Sequence, residues 1–361
     1  MRLLVPTLVL FLAALLPAAA QERVVNMYNW TDYIAPEVLE RFTRETGITV
    51  RYDVYDSLET LEGKLLAGRS GYDVVVPTAE PTFHRLITAG ALQPLDRAAI
   101  PTLAGLDPAL MARVATSDPG NKYGAIYLWG TIGLGEVPSR IAPLFPDAPL
   151  DSWDLLLKPE NAKRLAPCGI TMMDSAIDVI PSVLRWLGRA PDSTEARDLA
   201  DVEKTLMAIR PYIRTFASGG AVEALAAGQT CLVMSYSGDV IQAAARAREA
   251  GQAEVRYVAP KEFAQLWFDM LAMPADAPHA AEGRALIAFL LRPEIMAAIT
   301  NKVRYPNAVP ASWPAVEAAV RDDRNVFPDV ADPRFYTTTP SAAAGADRAR
   351  TRLWARFKAG Q

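Results

Sequence analysis

The chain has 361 residues, 51% of them hydrophobic and 22% charged, with a formal net charge of −4. One compact domain seldom reaches this size, so two lobes with sizeable cores are expected. The mild acidity argues against nucleic acid as a partner and favours a cationic one.

Residues 1–20, MRLLVPTLVLFLAALLPAAA, hold one Arg, an apolar run from Leu3 to Leu16 and a small-residue end at Ala18–Ala20. This reads as a secretory signal peptide cleaved after Ala20. The apolar run is shorter than the ~20 residues of a membrane span, and no Cys at the cleavage point suggests a lipid anchor. In an exported chain the even pair Cys168 and Cys231 reads as a disulfide, with two buried thiols as the alternative. The two histidines, His84 and His279, lie far apart and show no metal-ligand spacing. No metal or other cofactor is expected.

VVNMYN predicts a first strand. Pro36 suits a first helical position, Val38, Leu39 and Phe42 give an apolar face, and Gly47 closes the helix. In ITVRYDV, Ile48, Val50, Tyr52 and Val54 alternate with polar residues, as in a strand. Asp56 followed by Glu59 predicts a capping box before LETLEGKLLAG. YDVVVP predicts a short buried strand, with a helix around TFHRLITAG. This β-α-β-α-β order implies a parallel sheet flanked by helices. Such sheets hold ligands at the carboxyl ends of their strands, where Tyr28–Tyr33 and Thr78–Glu80 fall.

YGAIYLWGTIGLG predicts a strand crossing between lobes, and PLDSWDLLLKPENAKRL a loop and helix. GITMMD predicts a strand ending at Asp174, followed by a helix starting near Asp178. TCLVMSYSGD predicts a strand ending in an aromatic and an Asp, and WFDMLAMP repeats that theme. RARTRLWARFKAGQ predicts a basic amphipathic helix packed on a lobe. The expected lobes are residues 21–127 with 255–300, and 128–254 with 301–361.

Carboxylates and rings recur together in Trp30/Asp32/Tyr33, Tyr236/Asp239 and Trp267/Phe268/Asp269. Asp178 and Glu80 stand at further strand-to-helix turns, and Tyr305 adds a ring. Taken singly, each Asp reads as a helix cap and each ring as core. Taken together they suit an alkyl ammonium. Carboxylates hold such a head by charge-assisted hydrogen bonds, and an aromatic face adds ~0.5–2 kcal/mol per contact. Flat rings also wall the methylenes. A buried carboxylate without a cation is costly. Enzyme signals are weak. Gly130–Gly135, GTIGLG, is not a G-x-G-x-x-G, and SYSGD is not a G-x-S-x-G elbow. Paired carboxylates could serve a glycosidase, but no acid/base pair is visible. A binding protein, not an enzyme, is expected.

The segments YNWTDYIAPEVLERFTRETGITVRYDVYDSLETLEGKL, YDVVVP, DSWDLLLKPEN, SGDV, FDMLAMPADA and RTRLW resemble the periplasmic polyamine-binding receptors. These are the substrate-binding components of bacterial putrescine and spermidine importers. The similarity covers essentially the whole mature chain, and the opening Y-N-W-(S/T)-D-Y is specific to the group. The resemblance implies the α/β, type II periplasmic binding protein fold, with two lobes joined by a hinge and the ligand cleft between them. It implies a periplasmic monomer that serves an inner-membrane ABC permease. Trp30, Tyr236 and Tyr305 match wall positions, and Asp178, Asp239 and Asp269 match ammonium-binding ones. Thr31, Asp32 and Thr78 match polar contacts of the first lobe, with Tyr33 in the same turn. The two Cys match a pair bridged in close relatives. Three residues depart from the putrescine pattern: Glu80 and Thr31 each replace a Ser, and Trp267 replaces a Phe. Thr31 and Trp267 follow the spermidine pattern. Spermidine is therefore expected over putrescine. The alternative is another organic cation, such as agmatine, cadaverine or a basic amino acid. An amino acid would need an Arg or a helix N-terminus for its carboxylate, and no Arg adjoins these motifs.

Overall fold

Nearly unbroken burial along Val24–Trp30 makes β1 a strand covered on both faces, the usual state of a parallel strand. In a computed structural model that describes residues 23–146, 150–217, 221–338 and 344–360, β1 pairs in parallel with β2 (Thr49–Tyr55) and β3 (Val74–Val75). The signal-peptide reading lies outside the described residues. Pro36 opens the helix Pro36–Thr46, and Gly47, at φ 68°, closes it. Ser57, rather than Asp56, caps the next helix, Leu58–Leu66: its hydroxyl accepts from the Thr60 amide at 3.2 Å. The expected capping box is thus displaced, because the helix starts one residue later than the Asp56–Glu59 spacing requires.

β4 (Leu92–Gln93) precedes the long β5 (Gly124–Glu136), which is buried throughout. β6 (Ile170–Met172), β7 (Thr215–Phe216), β8 (Leu232–Tyr236), β9 (Arg256–Val258), β10 (Ala264–Pro274) and β11 (Phe335–Tyr336) follow. Among the described residues the strands form one sheet in the order β2-β1-β3-β10-β5-β8-β6-β7, with β4 and β11 on β10 and β9 on β5. The outer triplets β2-β1-β3 and β8-β6-β7 are parallel. Between them the long pair β5/β10 is antiparallel, as are its joins to β3 and β8. Two parallel groups are therefore linked through β5 and β10.

Three strand ends differ from expectation. β6 stops at Met172 rather than Asp174. The strand in TCLVMSYSGD stops at Tyr236, so Asp239 falls in the first turn of the helix Ser237–Glu249. β10 does not end at Asp269 but runs on to Pro274, because the apolar run beyond Asp269 stays buried. Asp269 consequently sits mid-strand. There the register with β5 slips, from Asp269 opposite Leu128 to Met270 opposite Ile126, leaving Tyr127 as the extra residue of a bulge.

Cys168 and Cys231 are joined as a disulfide with Cα atoms 5.6 Å apart. The bridge ties the amino ends of β6 and β8. The C-terminal helix Ala344–Ala359 buries Leu353, Trp354 and Phe357. It packs on the helices Ala176–Trp186 and Ala196–Ile209, leaving basic residues outward as its amphipathic pattern expects.

Candidate functional site

The carboxyl ends of β1, β2, β6 and β8, with the segment after β3 and the middle of β10, line one cavity of about 490 Å³. That volume suits a small ligand. Among the expected residues, Trp30, Thr31, Asp32 and Tyr33 come from the turn after β1, and Thr78 from the segment after β3. Asp178 follows β6, and Tyr236 and Asp239 surround the end of β8. Trp267 and Asp269 project from β10, and Tyr305 follows the helix Pro293–Val303.

Three acids line this cavity, Asp178 and Asp269 buried and Asp239 partly buried, each held by hydroxyl groups. Asp178, in the first turn of the helix Ala176–Trp186, accepts from Ser175 Oγ at 2.6 Å and the Tyr236 hydroxyl at 2.9 Å. Gln265 Nε2 lies 3.4 Å from its other oxygen. Asp239 accepts from the Tyr305 hydroxyl at 2.6 Å, and that hydroxyl accepts from the Asp239 amide at 3.1 Å. Gly238 makes this possible, since a Cβ there would stand 2.4 Å from the Tyr305 ring. Asp269 accepts from Thr78 Oγ1 at 2.6 Å, across a bridge that joins the segment after β3 to β10.

Burial pushes all three carboxyls up, Asp239 to about 6 and Asp269 to about 7, against the pull of these hydroxyl donors. Each would gain from a cation placed beside it.

The rings form two walls. Trp30 tilts against Tyr55 at 4.5 Å and is pinned by its Nε1 donating to the Val76 carbonyl at 3.0 Å. Trp267 meets Tyr236 and Tyr305 edge-on at 5.5 and 5.1 Å. Gly130 lets that indole lie against β5, because a Cβ there would approach Trp267 Cζ2 to 2.6 Å. The GTIGLG stretch thus has a packing reason for at least one glycine. Trp267 Nε1 is buried with no protein partner.

Glu80 is placed elsewhere. Its backbone, at φ −116° and ψ 131°, breaks the helical turn after Thr78. Its carboxyl enters a side chamber of about 20 Å³, room for about one water. Thr78, Asp178 and Trp267 line both chamber and cavity. The Ser117 hydroxyl donates to one Glu80 oxygen, and the other is buried without a partner. Burial raises this carboxyl to about 7.

Several lining residues were not anticipated. Tyr55, Asp56, Ser57 and Glu59 stand at the carboxyl end of β2, a strand end the same rule would have flagged. Gln242 and Arg246 lie at helical spacing from Asp239 on Ser237–Glu249. Arg246 brings a cation to the cavity wall and is paired with Glu223. No Arg adjoins the motifs themselves, but the helix brings Arg246 to the cavity they line, so a carboxylate-bearing ligand is no longer disfavoured for want of an Arg.

The chain matches the family described as bacterial extracellular solute-binding protein over residues 37–328. It is 45% identical to the putrescine-binding periplasmic protein SpuD of Pseudomonas aeruginosa, covering 95% of this chain and 94% of that one. It is 42% identical to the putrescine-binding periplasmic protein PotF of Escherichia coli, covering 95% and 93%. Its fold matches the spermidine/putrescine ABC transporter substrate-binding protein PotD of Streptococcus pneumoniae with a TM-score of 0.77 at 26% identity, covering 94% and 99%. The mixed sheet with its two parallel groups is the two-lobe, type II arrangement of these proteins. The chain belongs to the bacterial extracellular solute-binding protein family and is a binding protein, not an enzyme.

Proposed function

We propose that this chain is a periplasmic, monomeric polyamine receptor that delivers its ligand to an ABC importer. One observation carries the reading: three carboxylates, two buried and one partly buried, whose side-chain hydrogen bonds come only from neutral donors, converge on one ring-walled cavity. The names of the relatives support it. Trp30 and Trp267 would wall the methylenes, and Asp178, Asp239 and Asp269 would take ammonium heads. Thr31, Asp32, Tyr33 and Thr78 would contact the ligand from the first parallel group, and Tyr236 and Tyr305 from the second. Closure is a hinge motion stabilised by contacts from both sides. Calorimetric titration with putrescine, spermidine, agmatine, cadaverine and lysine tests it. Lysine binding more tightly than every amine would overturn it.

The pH dependence follows from the raised carboxyls. A cation favours their charged form, so binding releases protons and affinity falls between about pH 8 and about pH 5. Because these carboxyls sit above the ordinary carboxylate range in the fold, their contribution to stability is present in acid. It is lost as pH rises through about 6 to 7. The ligand restores it, so the ligand-induced rise in melting temperature grows from pH 5 to pH 8. Titrations in buffers of different ionisation enthalpy count the protons released. An affinity independent of pH would show that the acids are charged throughout.

For ligand length, we favour spermidine over putrescine on this chain's own residues. Trp267 offers a broad wall, and Thr31 stands on the rim. Glu80 holds an unpartnered oxygen in the chamber adjoining Asp178 and Trp267. A third nitrogen, or the guanidinium of agmatine, at the chamber mouth would reach it through the one water the chamber has room for. Glu80→Ser is expected to weaken spermidine more than putrescine. If putrescine binds the wild type more tightly and the substitution changes neither affinity, the length reading fails.

A further inference from the structure

Asp174 lines the cavity, yet its carboxylate is already engaged. Trp354 Nε1 donates to Oδ1 at 3.2 Å and Lys358 Nζ to Oδ2 at 2.5 Å, both from the C-terminal helix. That helix is firmly seated. Leu353 and Phe357 are buried, Arg210 donates to the carbonyls of Phe357 and Lys358, and Arg356 pairs with Glu203. The Asp174 and Lys358 side chains are 36% and 39% exposed, so ions in the cavity mouth can reach the pair.

We propose that Lys358 is a specificity-determining residue: an internal ammonium that occupies Asp174 and withholds this carboxylate from the ligand. The inference rests on the polyamine reading above. A long amine with an additional nitrogen needs a further acid along the cavity wall, since each ammonium taken out of water requires a counter-charge. Asp174 could be that acid, next to Ser175, whose hydroxyl is spent on Asp178. While Lys358 holds Asp174, the wall lacks the further acid that a fourth ammonium would need, as in a tetra-amine. Lys358 does not touch the ligand in this scheme but acts through Asp174.

The test is titration of the mature protein with putrescine and with the tetra-amine spermine. Lys358→Met is expected to raise spermine affinity about two- to fivefold, the scale of a part-exposed ion pair, while leaving putrescine unchanged. Lys358→Arg should restore the wild-type ratio of the two affinities. In the double variant Asp174→Asn/Lys358→Met the gain should vanish. Melting curves for each variant report any general loosening of the helix. An equal effect of Lys358→Met on both amines, no effect included, overturns the proposal and leaves the pair a structural tie. A wild type that binds neither these two amines nor spermidine instead overturns the polyamine reading itself.

Discussion

Replacing Asp269 by Asn will weaken amine binding by roughly 2–5 kcal/mol, the usual scale for truncating one partner of a buried charge pair, and will leave the fold intact. Asn has nearly the same shape and can still accept from Thr78 through its amide oxygen. What it removes is the charge. Asp269 is 5% exposed, and the hydrogen bond from Thr78 leaves much of that charge open to a cation. Asp239→Asn should act on a similar scale. Asp178→Asn should do less, since Ser175, Tyr236 and Gln265 already surround that carboxylate. Calorimetry beside circular dichroism separates the outcomes. Unchanged affinity in a folded variant would make that acid a structural cap.

The second large effect concerns stability and not binding. Cys168 and Cys231 close a loop with a sequence separation of 63. Loop-closure entropy gives such a bridge roughly 4 kcal/mol. At about 2.1 cal/mol/K per residue, that is about 6 °C of melting temperature for a chain this long. Cys168→Ala/Cys231→Ala should melt lower by that order, and the non-reduced mature protein should weigh two hydrogens less than the reduced one. Amine affinity should hardly change. The bridge ties the amino ends of β6 and β8, whereas Asp178 and Asp239 follow their carboxyl ends. Equal melting of bridged and bridgeless protein would remove the bridge from the list of stabilising features.

Much of the site was legible because strand ends are legible. The runs VVNMYN and TCLVMSYSGD placed the ends of β1 and β8 to within a few residues, and so brought Trp30, Tyr236 and Asp239 to the sheet's carboxyl edge, although β8 stops at Tyr236 and Asp239 falls in the first turn of the helix that follows. Asp269 was singled out for the right neighbourhood and the wrong reason. It lies inside β10, aimed by a bulge whose position depends on pairing with β5, and pairing register is not written in either strand alone. The chamber that Glu80 enters beside the main cavity was not legible, because the direction of its side chain depends on its own non-helical backbone after Thr78. Arg246 stands two turns beyond Asp239 on the same helix, so its place on the cavity wall follows from helical spacing and not from the local motif. Its partner Glu223 comes from another helix, Ala221–Ala226, and only the tertiary fold brings the two together.

The bulge at Asp269 has a mechanical meaning. β5 and β10 carry the sheet from one parallel group to the other, and the slip in their register lies at Asp269, the residue proposed to meet the ligand's charge. If the two groups twist against each other as proposed, the irregular pairing at Asp269 lies between them, so the residue proposed to hold an ammonium is also one that the motion would disturb. A permease that pries the two groups apart therefore need not reach the amine. On that reading, opening the two groups would loosen the grip on the ligand by changing the strand pairing beside Asp269.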